Sequence, residues 1–581
     1  MRIDDYAQSA DEVLAEAAEA PLSLSEFVEQ LFENPEVGEK SAQYLLRAIE
    51  SYGTRTVTEN GEEYERYCFF DDPSGNGQHA ILGNTEVLNT FVEDVRQIGS
   101  QFGKKQKILW FEGPTATGKS ELKRCVINGL RAFSQSAEGR RYTVEWNISA
   151  LTGGSLSLHD QGNPDESEWY ESPVQASPLS VYPSRIRNKI VADIESGNTQ
   201  FDTELEMDPF SKEAYNILRE HYESENTTDL FSAITSPEHL RVKRYTMDIG
   251  HGIGVLHSED EGTPKERLVG SWVPTLMQQL DSRGRKNPQA FSYDGLLAQG
   301  NNGLSIVEDA SQHFDLLRKL LNIPEERLVK LDKGLPMDID TVLIIISNPD
   351  LEMQLDQYSE EALSSDPFKA LRRRLDKYYF RYLTGLSLET ELLRREVGNL
   401  RDIPRDDIRD RIAEPVVANN TELAPHSLEA AAMYSVVSRL RPDNWRCTVS
   451  DIDVKDISLV EKALLYETGV YEHDGDEFEI SEFEFESDDK KRDGRVGIPV
   501  TFTRDILTNL CQTNQTLLPQ DVLEAMSESL AEEPVFAKKE VKKFNACLDD
   551  VQEYVLSQQE EDLISAIMQD QTASDEDINE Y

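Results

Sequence analysis

Gly113-Pro114-Thr115-Ala116-Thr117-Gly118-Lys119-Ser120 spells G-x-x-x-x-G-K-S/T, a pattern whose chemistry is the capture of a phosphate chain. Glycines at its two ends let the backbone fold back so that N–H groups converge on phosphate oxygens. The N-terminus of a following helix adds partial positive charge there. Lys119 is spaced to neutralise β- and γ-phosphates, and Ser120 to offer its hydroxyl to Mg²⁺. The flanks agree with this reading. The apolar run Lys107-Ile108-Leu109-Trp110-Phe111-Glu112 predicts a buried strand, and Leu122, Val126, Ile127 and Leu130 recur with helical spacing.

A phosphate loop that turns nucleotide over also needs an acid at a strand end to hold Mg²⁺ and polarise the attacking group. Leu304-Ser305-Ile306-Val307 ends in Glu308-Asp309, which supplies two carboxylates in the order opposite to the usual pair. About forty residues on, the strand Thr341–Ile346 runs into Ser347-Asn348-Pro349, where Asn348 can orient a water near the γ-phosphate. That spacing leaves room for one helix and a loop between adjacent strands of a doubly wound sheet. Leu371-Arg372-Arg373-Arg374-Leu375 sits in a helical pattern. Arg373 or Arg374 can reach a neighbouring subunit's nucleotide, which would tie turnover to a ring-like homo-oligomer. The competing reading is a solvated helix face paired with Asp366 and Asp376.

Other candidates carry less. His251 and His257 lack zincin spacing and read as loop or core histidines, and the Gly250, Gly252, Gly254 cluster reads as a turn. The chain has neither the H-R-D and D-F-G pair of eukaryotic-type kinases nor a G-x-S-x-G elbow.

The elements around these residues belong to a chain of 581 residues with 109 acidic and 59 basic side chains, a formal charge of −50. Such a charge argues against binding nucleic acid through phosphate neutralisation and against anionic membranes. The acidic N-terminus MRIDDYAQSADEV does not read as a signal peptide, and the longest apolar run is strand-length. Five scattered cysteines (Cys68, Cys125, Cys447, Cys511, Cys547) suggest neither a zinc site nor a disulfide framework, which fits a reducing cytoplasm. Only 24 of the basic residues are lysine, and acids run through every segment. This pattern resembles proteins of salt-accumulating halophiles such as halophilic archaea, where molar salt shortens the Debye length to ~3 Å and quenches self-repulsion.

Periodicity divides the chain into four stretches. Residues 1–60 read as helices, with Ser23 or Ser25 as a cap before Leu24, Phe27, Val28, Leu31 and Phe32. Residues 61–385 read as an α/β core, a parallel sheet with helices on both faces, carrying a long irregular insertion at about 150–290. Residues 386–510 read as helical with an acidic interruption at 472–493. Residues 511–581 read as further helices ending in a frayed acidic tail, TASDEDINEY.

Several stretches in the same order resemble the PrkA family, AAA+ P-loop proteins described as serine protein kinases or kinase anchors. Asn287 to Gly295 and Gly303 to Glu308 resemble its D-P-x-A-Y-S-F-x-G and G-L-L-E-F-V-E segments, which puts Glu308 at the acid position. Arg244 to Gly254 and Leu268 to Ser271 resemble R-V-x-L-S-x-x-D-x-x-G-I-G and L-V-G-S. Ser347-Asn348 falls on the family's S-N sensor. Ala424 to Ala432 resembles A-P-H-T-L-E-x-A-A, and Ile457 to Tyr466 resembles the following S-L-V-x-K-x-x-L-Y. The match runs from about residue 64 to about 510. It departs at Asp208-Pro209-Phe210, where the family has C-P-Y-C, and at Thr501, where the family has an arginine and Arg504 is the nearest substitute.

The resemblance implies an AAA+ core with a helical lid, ATP and Mg²⁺ as cofactors (Mg²⁺ on Ser120 and Glu308), protein substrates, and phosphoryl transfer to serine or threonine. Two alternatives stay open: an ATPase that remodels or unfolds protein partners, feeding proteolysis, and a nucleotide-gated scaffold.

Overall fold

Val342-Leu343-Ile344-Ile345-Ile346 has no polar residue, the mark of a strand covered on both faces, and it lies inside a six-stranded sheet. The computed structural model describes residues 19–100, 107–147, 169–194, 199–260, 262–271, 293–320, 323, 327–330, 336–361, 369–398, 402–404, 408–449, 453–473, 475–486, 491–534 and 536–580. The chain divides into two units: Met1–Gly53, Thr90–Glu112 and Val126–Tyr378 form one, and Thr54–Asn89, Gly113–Cys125 and Tyr379–Tyr581 the other.

In the first unit the sheet strands are β1 (Ile108–Glu112), β2 (Asp248–Ile249), β3 (Gly252–Leu256), β4 (Gly303–Val307), β5 (Thr341–Ser347) and β6 (Leu375–Tyr379), in the order β6-β1-β5-β4-β3-β2. The pairs β1/β5, β5/β4, β4/β3 and β3/β2 are all parallel. Ser347 stands opposite Glu112, and Val307 opposite both Ile345 and Leu256. The carboxyl ends of β1, β5, β4 and β3 therefore share one edge, the edge where open α/β sheets bind ligands.

Three expectations are corrected here. Of the glycine cluster read as a turn, Gly250 is one, at φ +93°, but Gly252 and Gly254 lie in β3, a fully buried strand of the central sheet. Its glycines serve close packing. A Cβ on Gly254 would lie 2.0 Å from the Leu296 carbonyl oxygen, and one on Gly303 would lie 2.0 Å from that of Gly252. The stretch 150–290 is accordingly not one irregular insertion. Besides the expected helices, Ser184–Asp193 and Pro209–Ser224, it carries this core strand and two strands, Trp169–Glu171 and Leu240–Tyr245, that pair antiparallel with Arg141–Asn147 on either side. Its residues 150–168 and 272–292, including Asn287, lie outside the described residues. Thirdly, the helical reading of 1–60 ends early, because Thr54–Glu59 pairs with Glu62–Tyr67 as a hairpin. The β-branched residues Thr54, Thr56, Val57 and Thr58 account for that preference. The Ser23 cap is as expected: Ser23 and Glu26 form a reciprocal capping box at 3.2 and 2.7 Å.

The second unit contains the hairpin, the phosphate loop with the first turns of its helix (Lys119–Gln135), and a helical assembly around Ser427–Arg439. Every residue of Ser427–Arg439 is buried; Ala430-Ala431-Ala432 lets its neighbours approach closely. Arg439 closes the core with a double contact to Glu389, 2.7 Å on each nitrogen. The acidic stretch 472–493 includes the hairpin Val470–His473/Asp476–Glu479 and is anchored at its end by Lys462. The Lys462 ammonium meets Asp493 at 2.9 Å and Asn444 at 2.6 Å, and burial lowers its pKa. The acidic tail, expected to fray, is helical through Glu580 as part of the helix Leu548–Glu580, and Tyr581 lies outside the described residues.

That terminal helix is tied down by a buried histidine. His426, in the left-handed region at φ +66°, meets Glu429 at 2.6 Å and Asp562 at 3.0 Å, while Tyr554 donates to Glu429 at 2.6 Å. Hydrogen bonding to Glu429, then to Asp562, raises the His426 pKa. A raised histidine pKa stabilises fully below the unfolded value of about 6.5 and ceases to as pH climbs through the folded value. Thermal melting at about pH 6 and about pH 9 should therefore show the wild type losing about 1–3 kcal/mol more than His426→Ala across that interval. Equal losses would contradict the tether.

Candidate functional site

β1 ends at Glu112, the loop starts one peptide bond later, and the helix begins at Lys119. Within the second unit the loop is shaped by close approach: a Cβ on Gly113 would lie 2.3 Å from the Phe380 carbonyl oxygen. The backbone turns left-handed at Ala116 (φ +61°) and Gly118 (φ +90°), the kind of reversal that builds an anion-binding concavity. Lys119, 6% exposed, donates to the carbonyls of Gly113 at 2.7 Å and Pro114 at 2.5 Å, and Thr117 donates to Pro114 at 2.9 Å. Ser120 is exposed at the helix start.

These residues open onto a cavity of about 260 Å³. One wall is the loop from Ala116 to Glu121, another is Ile81 and Leu82, and a third holds Arg381, Leu383, Thr501 and Arg504. The Ile81 segment is fixed by buried Arg66, which donates to the Ile81 carbonyl, to the Gly83 carbonyl at 3.2 Å and to Thr85 at 2.7 Å. The lining combines loop backbone and cations with the apolar Ile81, Leu82, Leu383 and Leu392, alongside Glu121, Glu389 and Glu396, a mixture that suits a nucleoside triphosphate, a charged tail on a flat apolar base. Among the described residues no group of three or more His, Cys, Asp or Glu is arranged to hold a metal.

The predicted acids sit in the first unit, at the carboxyl edge of the sheet. Glu308 follows β4, and its amide donates to the Leu256 carbonyl at 2.9 Å. Its carboxylate, 16% exposed, meets the His257 ring at 2.7 Å. His257 immediately follows β3, and its own carbonyl accepts from His313 at 2.9 Å. Asp309 turns left-handed at φ +44° at the start of the short turn Ala310–His313, where its carbonyl accepts from the Gln312 amide at 2.8 Å. Asn348, half-buried, follows β5 directly, and its carbonyl accepts from Leu351 at 3.3 Å. Trp110 donates to Ser347 at 2.8 Å, which locks β5 against β1.

The arginines end the helix Lys369–Arg374, just before β6. Arg372 pairs with Asp356 at 2.9 Å, and the Arg373 carbonyl accepts from Lys107 at 2.9 Å. Asp376, expected as an arginine partner, pairs with Lys107 at 2.8 Å, and Asp366 lies outside the described residues. Arg373 is exposed and Arg374 half-buried. His257 is a residue of interest that no motif marks. It lacks zincin spacing, although the apolar run directly before it, Ile253 to Leu256, is a signal that could have found it.

A parallel sheet of this strand order, with a phosphate loop after β1 and an acid after β4, defines an α/β AAA-type domain of the P-loop class. Residues 22–363 match the PrkA AAA domain, and residues 460–581 match the PrkA serine protein kinase C-terminal domain. The chain belongs to the PrkA family. It is 21% identical over 530 residues to the ATP-dependent protease PrkA of Bacillus subtilis (strain 168), covering 90% of this chain and 69% of that protein. No described helix is long and apolar enough to cross a membrane.

Because Gly113 packs on the Phe380 carbonyl, Gly113→Ala is expected to weaken ATP binding at least about tenfold, which costs about 1.4 kcal/mol. Equilibrium binding checks this, with circular dichroism confirming the fold. Unchanged affinity would show that loop shape does not set phosphate capture.

Proposed function

We propose that this protein binds Mg·ATP through Gly113–Ser120 and hydrolyses it to drive changes in protein partners. The observation that carries this reading is Lys119 and Ser120 at a helix N-terminus, opening onto a cation-lined cavity. Lys119 neutralises phosphate charge, and the loop amides orient the chain of phosphates. Mg²⁺, when bound, would screen the β- and γ-oxygens and lower the charge that the transition state develops. Ser120 and one acid of the 308–309 pair would hold it. In this reading Glu308, whose carboxylate meets His257 at 2.7 Å, takes the proton from water, which leaves Asp309 the metal role. Asn348 then positions that water.

The hydrolytic reading is supported by a strand-end acid and a polar sensor without kinase catalytic-loop motifs, and by the word protease in the name of the Bacillus relative. The second reading, phosphoryl transfer to serine or threonine, is favoured by the description of the C-terminal family model. Both need the same positioning and differ in whether water or a hydroxyl attacks. Protein partners, assembly into a ring of like subunits and work at molar salt belong to the same proposal.

Incubation with γ-labelled ATP at high salt separates the readings: released phosphate alone supports hydrolysis, and labelled protein supports transfer. Lys119→Ala should abolish both, and wild-type turnover in it would refute the site. Glu308→Gln should keep ATP binding and lose turnover by about 100- to 10,000-fold, the usual contribution of a general base; a comparable loss only in Asp309→Asn would reverse the two roles. Arg373→Ala should likewise bind ATP but turn over slowly, with activity restored on mixing with Lys119→Ala subunits. No restoration would exclude an arginine acting across subunits.

A further inference from the structure

A small cavity of about 30 Å³ lies within the first unit and shares no lining residue with the cavity at the phosphate loop. Its charged lining consists of three carboxylates, Glu39, Asp202 and Asp340, and two cations, Lys40 and Arg141. The carboxylates are all matched. Glu39 accepts from Arg47 Nε at 3.0 Å, Asp202 pairs with Arg327 at 3.2 Å, and Asp340 pairs with Arg327 at 3.7 Å. Asp340 also accepts from the Ser41 amide at 2.7 Å and the Ser41 hydroxyl at 2.8 Å, at the start of the helix Ser41–Glu50. The cations are not matched. Lys40 is 9% exposed and Arg141 5%, and among the described residues neither has a carboxylate within ion-pair distance.

Arg141 is the clearer case. It stands directly opposite Tyr245 across the strands Arg141–Asn147 and Leu240–Tyr245, so the two side chains share one face of the sheet. Its guanidinium lies over the Tyr44 ring at 4.2 Å, and Nη1 donates to the Glu39 carbonyl at 2.9 Å. Nε and Nη2, the edge that presents two parallel N–H groups, are buried without a hydrogen-bond partner among the described residues. The Tyr245 hydroxyl is buried without a partner as well. Burial pushes that phenol up to about 12, so it keeps its proton and can donate. Burial, and then the charge of Arg327, lowers the Lys40 pKa, as expected of a cation short of counter-charge.

Orphaned buried donors are costly, and a buried guanidinium without an anion more so. A water can accept two of these protons but needs acceptors for its own, whereas a monatomic anion accepts from every donor around it. A cavity this size has room for about two waters, at roughly 10–15 Å³ each, which suits a halide and is too small for a phosphate. We propose that this cavity is a chloride site, the ion accepting from Arg141 Nε and Nη2 and from the Tyr245 hydroxyl, with the Lys40 ammonium beside it. Chloride bound there joins the segment Glu39–Ser41 to the two strands. It acts on stability as a ligand, by mass action, and so differs from the screening that any salt gives a chain carrying −50. The site does not depend on the ATP reading of the loop.

The test combines bromide with melting of the full chain. Crystals soaked in bromide should show an anomalous peak between the Arg141 guanidinium and the Tyr245 hydroxyl. In solution, chloride replaces gluconate, an anion too large for the cavity, from about 0.1 to about 1 M at constant ionic strength. Across that series the wild type should gain about 1–4 °C more than Tyr245→Phe or Arg141→Gln, the shift expected of one weakly bound ion. Bulk effects of exchanging the anions act on wild type and variants alike. If Arg141→Gln fails to fold, Tyr245→Phe, which loses one hydroxyl and keeps the ring, decides. No bromide peak, water alone in the cavity, or equal chloride dependence in wild type and variant overturns the inference.

Discussion

A chain carrying −50 repels a triphosphate, so everything proposed for this protein depends on a local reversal of sign. The reversal is built from two kinds of positive charge at the start of one helix. The first is the backbone, bent left-handed at Ala116 and Gly118 so that amide dipoles can converge. The second is the set of cations near it: Lys119 held on the loop's own carbonyls, and Arg439 and Arg504 among the residues that line the cavity. Only glycine at 113 permits the approach to Phe380 that sets the loop's course. The cost of confining these charges is met locally, since Glu389, Glu396 and Asp505 neutralise the two arginines.

The sheet supplies the other half of the chemistry. In a parallel sheet every strand ends at the same edge, and β1, β5 and β4 lead to Glu112, Ser347 and Glu308 there, with Ser347 opposite Glu112 and Glu308 one residue past Val307. The loop continues directly from Glu112. The long separation in sequence between Lys119 and Glu308 therefore costs the fold nothing in geometry: the intervening residues add β3, which brings His257 to Glu308, and an antiparallel layer beside it. A carboxylate tethered by an imidazole is fixed in direction, which a base needs if it is to meet water in one geometry.

Much of this was legible in the residues. β1 and β5 announce themselves as nearly continuous apolar runs and β4 as one broken by Ser305, and the loop announces itself by its spacing. Glu308 and Asn348 are found because each lies one residue past a strand. The failures share a cause. β3 is broken by Gly252 and Gly254, which read as turn residues although they are there to let strands and carbonyls approach. The hairpin at 54–67 is short, polar and close to helices on either side, so local periodicity offers little to separate it from them. His257 and Arg141 fall in no motif. His257 is recognised by what faces it across the sheet edge and Arg141 by a shortage of counter-charge, and neither property exists along a one-dimensional chain. The family match extends the reading in the same way: it assigns the chain to PrkA proteins, while the choice between water and a hydroxyl as the attacking group turns on chemistry that the fold leaves common to both.

The central claim is that the backbone of residues 113–120 wraps a triphosphate. Amide hydrogen exchange with and without Mg·ATP, in high salt, tests it most directly. The account predicts strong protection of amides in the Gly113–Leu122 segment, absent in Lys119→Ala. Nucleotide-dependent protection elsewhere in the chain with none in that segment would contradict it.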